Sequence, residues 1–313
     1  MRCPPVGAGS AFRSPAGGAE LIAKRTKFRL IDAVIVAACV ALGVYVYFRV
    51  TYGLEYKGDW SVIPRFLVKR DPVSGRLRPN FLLEGLIATI KLSIWATLLA
   101  TILGVVMGLF RTSKNLFLRM VGRTYVELIR NLPPLVLIFI FYFFVVDQIM
   151  PLLGVEAFIR SRSDAAKSVL AFLFAQESLF VQFISGIVTI AFFEGAYITE
   201  IIRAGIESIE RGQREAAYSL GLSWFDQMRH VIMPQAIKRV LPPLANEFIS
   251  TIKYSSLASV VSIQELTFMG RQMIVATRYI FETWITVAVM YLVLTLSLSL
   301  LVGRLEQRMK QSD

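Results

Sequence analysis

Glu194, Asn246, Ser250 and Lys253 are polar side chains set in otherwise apolar stretches. Asn246, Ser250 and Lys253 follow at intervals of four and three, which places them in one stripe along a helix. An acid inside an apolar span is costly and normally faces a cavity or a partner, so Glu194 is a candidate pathway residue. Lys253 lies near mid-stretch and reads either as the lining of a polar pathway or as an interhelix lock with Glu194 or Glu127. This is chemistry of polar recognition. Bond cleavage has no support: His230 is the single histidine, Cys3 and Cys39 form no metal-binding spacing, and neither HExxH nor GxSxG occurs. No catalytic residue and no metal ligand is expected.

A second group stands in RGQREAAYSLGLSWFDQMRHVIMPQA, residues 211–236, too charged to cross a membrane and too apolar for a loose linker. Arg211–Leu220 consists of helix formers, and Gly221 stops it because glycine accepts a left-handed backbone. Ser223, with Asp226 three residues on, has capping-box spacing and starts a second helix, and Pro234 follows its last turn. The expectation is two short helices bent at Gly221–Leu222. Ala216, Ala217 and Leu220 make an apolar patch on the first; Phe225, Met228 and Ile232 do so on the second. Small residues with Glu215 and Arg214 at the rim suit insertion into a pocket on another protein. Helices lying on the membrane surface are the alternative.

Both groups need membrane-spanning helices to carry them. Mean hydropathy is +0.59, with 55% hydrophobic and 18% charged residues, too little charge to cover a soluble protein of 313 residues. A helix crosses about 30 Å of hydrocarbon with roughly 20 apolar residues. Ala33–Phe48, Leu92–Phe110, Asn131–Val146, Ser178–Phe193 and Thr283–Gly303 qualify, and Val240–Gln264 qualifies apart from Glu247 and Lys253. The expected fold is therefore all-α and polytopic, with six transmembrane helices. Residues 1–30 read as a disordered tail, 31–50 as a peripheral helix and 51–81, with Pro64, Pro72 and Pro79, as an outer loop. A core over 82–303 follows, with spans near 86–110, 125–146, 179–203, 240–263 and 281–303, then a tail over 304–313. The basic run before Ala33 flanks an uncleaved anchor, since no small-x-small site closes it.

Within the core, Gly104 and Gly108 form a GxxxG pair suited to close helix packing. Pro133 and Pro134 predict a kink, and Glu127 and Arg130 are spaced to pair. Residues 147–178 predict an outer-face helix or a re-entrant segment, too short to cross. The net charge of +12 reads as topology rather than nucleic-acid binding: with both termini inside, inner segments hold 19 of the 34 Lys and Arg. The first outer loop, with Lys57, Arg65, Lys69, Arg70, Arg76 and Arg78, runs against that bias.

Glu215-Ala216-Ala217, three residues, Gly221, and a close at Val231 and Pro234 resemble the EAA loop of permease subunits of ATP-binding-cassette importers. Four further segments resemble the polar amino acid branch: TIKLSIWATLLATILGVVMGLFRTS, YVELIRNLPPLV, GAYITEIIRAGIESIERGQREAA and LPPLANEFISTIKYSSLASVVSIQEL. The likeness covers about residues 82–308, leaving the first helix outside a core of five; Tyr254 stands where the branch carries Asp. No GxxxxGK[ST] phosphate loop occurs.

The resemblance implies that this chain binds no cofactor and that ATP and Mg2+ belong to a partner ATPase. Glu215, Ala216, Ala217, Gly221 and Pro234 would couple the two, and closure of the ATPase dimer would switch the pathway between outward- and inward-facing states. It also implies a second permease subunit, identical or homologous, an extracytoplasmic binding protein, and a bacterial inner-membrane location with both termini cytoplasmic. A zwitterionic substrate needs donors for its carboxylate and acceptors for its ammonium, which Glu194, Asn246, Ser250 and Lys253 can offer. The alternative, a secondary transporter or channel for small polar solutes, leaves residues 211–236 unexplained.

Overall fold

The computed structural model describes residues 30–53, 58–71 and 75–310; the expected tail over 1–29, with Cys3 and the basic run, lies outside them. The chain forms two units, one up to Lys57 and one from Gly58 onward. The first holds α1 (Leu30–Gly53), apolar enough over 31–49 to cross a membrane and with none of its window buried.

The second unit opens with a turn capped by Asp59, whose Oδ1 accepts from Ser61 N at 2.8 Å, and a short helix α2 (Ile63–Leu67). Strands β1 (Val68–Arg70) and β2 (Leu77–Pro79) then pair antiparallel, with Lys69 opposite Arg78. Like charges facing across a ladder repel. Here Glu84 takes Lys69 at 3.5 Å and Asp71 takes Arg78 at 2.7 Å, so part of the basic excess of this loop is neutralised locally.

Helix α3 (Phe81–Thr112) is the longest element among the described residues. Its uncharged stretch between Lys91 and Arg111 spans about 28 Å at 1.5 Å per residue, close to the hydrocarbon thickness. Helix α4 (Leu116–Asn131) follows, capped by Asn115, whose side chain accepts from Phe117 N at 2.9 Å. The expected kinked span over 125–146 is instead broken. Leu132 and Pro133 are extended, and α5 (Pro134–Phe144) starts afresh, running through a π turn at Val145–Ile149 into α6 (Met150–Leu152). The residue before a proline avoids the helical region, and two successive prolines remove two amide donors, so the chain ends one helix and begins another. Glu127 pairs with Arg123 at 3.8 Å rather than with Arg130, which lies 5.4 Å from the Tyr197 ring centre.

Two short helices, α7 (Val155–Arg160) and α8 (Asp164–Leu173), fill the connection expected to lie on the outer face. The second docks on α3: Lys91 Nζ donates to the Ala171 carbonyl at 3.0 Å and Trp95 Nε1 to that of Leu173 at 2.9 Å.

Helix α9 (Phe180–Glu207) is the most buried and packs along α3. Gly104 and Gly108 make this approach possible: a Cβ at either would lie 2.5 Å from Ile198 Cγ2 or 2.6 Å from Ile202 Cγ2. The remaining helices are α10 (Arg211–Ser219), α11 (Trp224–Asp226), α12 (Met233–Tyr254), α13 (Leu266–Thr277) and α14 (Ile280–Lys310). The expected tail from 304 is helical through Lys310. Among the described residues five stretches, 31–49, 81–112, 134–152, 177–207 and 280–304, are long and apolar enough to cross a membrane. The more polar α12 packs on α9, α3 and α14.

At the end of the bundle away from Arg111, Glu265 ties three helices together. Its carboxylate caps α13 by accepting from Phe268 N at 2.8 Å, and it accepts from the Tyr291 hydroxyl of α14 at 2.6 Å and from Thr89 Oγ1 of α3 at 3.4 Å. Burial pushes the Glu265 carboxyl up to about 7, although these hydrogen bonds pull it down.

Candidate functional site

The 211–236 segment is a rigid bend. Leu220 is the last residue of α10's final turn; Gly221 N then donates to the Tyr218 carbonyl at 2.9 Å and Leu222 N to that of Ala217 at 3.2 Å. This is a Schellman motif, and it requires the left-handed backbone at Gly221, where φ is +73°. Ser223 then caps α11, accepting from Asp226 N at 3.2 Å and donating to the Asp226 carboxylate at 2.6 Å.

Beyond α11 the expected pattern changes. No second short helix ends at Pro234; residues 227–232 form a π turn that passes directly into α12. Pro234 has no amide to donate, and its ring would crowd the His230 carbonyl in a regular turn; the wider turn just before it relieves that crowding. The coupling candidates are therefore the tip of a long helical element.

The apolar patches also split. Ala217 is buried, together with Ile209, Ile232 and Ala236, and forms the hinge side, whereas Glu215 and Ala216 are exposed. Tyr218, Leu220 and Phe225 are 76%, 79% and 62% exposed around the bend. This outward apolar rim includes Tyr218, which sequence reasoning left out; a Tyr directly after the two alanines was the available signal.

At the base of the bend, charges are tied across helices. Arg111 of α3 pairs with Glu200 of α9, which also takes Arg203 at 2.9 Å, and Arg203 reaches Glu207 one turn further. Gly205 allows α12 to approach α9, since a Cβ there would meet Val240.

The pathway candidates are only partly brought together. Asn246, Ser250 and Lys253 do share one side of α12: Asn246 and Lys253 are exposed and Ser250 is half-buried. Lys253 makes no ion pair among the described residues, so the lock with Glu194 or Glu127 is absent. Glu194 is fully buried and faces Glu247 and Thr251, roughly 90° around α12 from the stripe. Its two carboxyl oxygens accept no hydrogen bond within 3.5 Å among the described residues. Glu247 is the residue that sequence reasoning missed here. Its signal was a second acid in an apolar stretch, but its partner lies on another helix. Tyr254 packs edge-on against Phe193 at 5.5 Å, beside Tyr197.

Residues 100–311 match the family described as "Binding-protein-dependent transport system inner membrane component". The probable glutamine ABC transporter permease protein GlnM of Bacillus subtilis (strain 168) is 35% identical over 230 residues, 74% of this chain and 94% of that relative. The glutamine transport system permease protein GlnP of Escherichia coli (strain K12) is 36% identical over 229 residues, 73% and 93% of the two chains. Among solved structures, an amino acid ABC transporter crystallised with histidines aligns at TM-score 0.58 and 33% identity, covering 73% of this chain and 94% of that one. The inward-facing MetNI methionine ABC transporter aligns at TM-score 0.57 and 16% identity, over 73% and 96%, a likeness of fold alone.

Proposed function

Since the chain belongs to the family of inner-membrane components of binding-protein-dependent transport systems, and is thus a permease subunit of an ABC importer, we propose that it carries polar amino acids. The glutamine permeases it resembles and the amino acid transporter whose fold it shares support that substrate class. Family membership favours this reading over a secondary transporter or channel.

In this proposal ATP and Mg2+ are bound by separate ATPase subunits. The 211–236 bend inserts its exposed rim into their cleft, with Glu215, Ala216, Ala217, Gly221 and Pro234 setting its shape. The exposed Tyr218–Leu220–Phe225 rim held by the Gly221 motif is the observation that carries it. Apolar side chains this exposed at the end of a charge-tied helical element are stabilised by burial against a partner. That end faces the cytoplasm of a bacterial cell, both chain termini lie on the same side, and an extracytoplasmic binding protein delivers substrate at the other. A second permease subunit, identical or homologous, completes the pathway. Asn246, Ser250 and Lys253 face that pathway; the Glu194–Glu247 pair lies behind them, and its carboxylates serve the ammonium once the helices shift.

Co-purification with candidate ATPase subunits tests the coupling. Glu215→Lys is expected to reduce both assembly and substrate-stimulated ATP hydrolysis; a variant that assembles and hydrolyses like the parent would refute the assignment. Calorimetry of the binding protein against a panel of amino acids identifies the cargo.

A further inference from the structure

We propose that a cavity at the base of the coupling bend binds the phosphate of an anionic phospholipid headgroup, and that this lipid steadies the bend. The cavity, of about 410 Å³, lies between the α3–α4 turn and the segment running from α11 to α12. Four cations line it, Arg111, Lys114, Arg119 and Arg214, against one carboxylate, Glu207. Arg111 is taken by Glu200 and Glu207 by Arg203, whereas Lys114, Arg119 and Arg214 make no ion pair among the described residues. Arg214 donates from Nη2 to the Ile206 carbonyl at 2.6 Å, and its Nε is buried with no hydrogen-bond partner. The Ile206 carbonyl holds the Arg214 guanidinium beside three further cations, and this excess of positive charge around one cavity is matched by an anion with several acceptor oxygens. The 16-residue α4 starts here with no acid in its first turn, so its positive end adds to the same field.

Two features select a lipid over a soluble anion. Arg111 closes the uncharged stretch of α3, which places the cavity at the edge of the hydrocarbon layer, where headgroups sit. Beside it Leu116, Phe117 and Met120 of α4 are 60%, 71% and 57% exposed, an apolar shelf suited to acyl chains. A headgroup held by Lys114 and Arg119 on one side and Arg214 on the other would bridge α4 to the base of the bend. This inference rests on the coupling role and orientation proposed above.

The test uses the permease with its ATPase subunits in nanodiscs of phosphatidylcholine, with or without phosphatidylglycerol. Native mass spectrometry counts retained phosphatidylglycerol, and ATP hydrolysis is followed alongside. The Lys114→Gln/Arg119→Gln double variant is expected to weaken retention about 30-fold, about fivefold for each charge removed, and to lose the stimulation of hydrolysis by phosphatidylglycerol. Equal retention in parent and double variant overturns the proposal, as does loss of the ATPase subunits from the variant, which would make these cations protein contacts. Stimulation by inorganic phosphate in phosphatidylcholine discs would assign the cavity to a free anion and overturn the lipid assignment. A Lys114→Cys chain in which Cys3 and Cys39 are replaced by serine, labelled by a membrane-impermeant maleimide only from the cytoplasmic side, supports the orientation. Labelling from outside refutes the orientation alone, because lipid retention is measured independently of it.

Discussion

Replacing Gly221 isolates the backbone contribution to the coupling bend. A Cβ at Gly221 would meet no atom within 4 Å, so Gly221→Ala introduces no clash. The cost comes from φ of +73°, a region that disfavours an alanine by about 1–2 kcal/mol. The two hydrogen bonds that close the motif, to the Tyr218 and Ala217 carbonyls, contribute about 1 kcal/mol each and resist straightening of the chain. The bend should therefore persist in the Gly221→Ala variant but open about 5–30 times more often. Hydrogen exchange at the amides of position 221 and Leu222 reads this directly, as a fall in protection of the same factor relative to the parent. Asn tolerates the left-handed region, so Gly221→Asn should recover most of the protection and of the substrate-stimulated ATP hydrolysis. The reasoning fails if the alanine variant leaves exchange unchanged, or if the asparagine variant is as damaging, since a conformational penalty must separate the two.

Gly104→Val forces a side chain into Ile198 and should cost about 1–3 kcal/mol, seen as a lower melting temperature in detergent; Gly303→Ala, with nothing within 4 Å, should match the parent or slightly exceed it. Ser223→Ala removes the α11 cap and should cost about 1 kcal/mol, read as faster exchange of the Asp226 amide with little change in global melting. Glu265 has a folded pKa of about 7, above its ordinary value, so its protonated form favours folding. Its contribution is fully present below about pH 4.5 and is lost as pH rises toward 7, and Glu265→Gln should flatten that part of the stability profile. If Lys253 lines the pathway, Lys253→Ala should lower transport while leaving assembly with the ATPase subunits intact; loss of assembly would mark it as a contact residue instead.

What could be read from the sequence was chemistry written locally. The stop at Gly221, the cap at Ser223 and the close approach at Gly104 and Gly108 each depend on a few neighbouring residues whose backbone or steric demands are fixed by type. The break at Pro133 was visible as a disturbance, but whether two prolines bend a helix or divide it depends on what the following apolar run packs against. Of the two readings open for Lys253, the lock follows from the pairing of opposite charges, whereas the helix phase turns Lys253 outward and sets Glu247 toward Glu194. That choice is made by helix packing between α9 and α12, through Gly205 and Val240, and no spacing within one helix encodes it.

The passage through Pro234 bears most on mechanism. A separate short helix ending there would leave a joint between the docking tip and the polar stripe, and motion at the tip would be lost in that joint. Instead the chain is helical from Trp224 to Tyr254, although it passes the π turn at residues 227–232 and two internal prolines, Pro242 and Pro243, each of which lacks an amide donor. Lys253 thus lies about 44 Å along the same element from Trp224. In the proposed coupling, Gly205 gives α12 its close approach to α9 near the tip, and movement imposed there travels along α12, past Pro242 and Pro243, to Asn246, Ser250 and Lys253. The Glu194–Glu247 contact is where that displacement must be felt. It sets the fully buried Glu194 of α9 against the half-buried Glu247 and the buried Thr251 of α12, so a shift of one helix along the other changes how the two carboxyls meet.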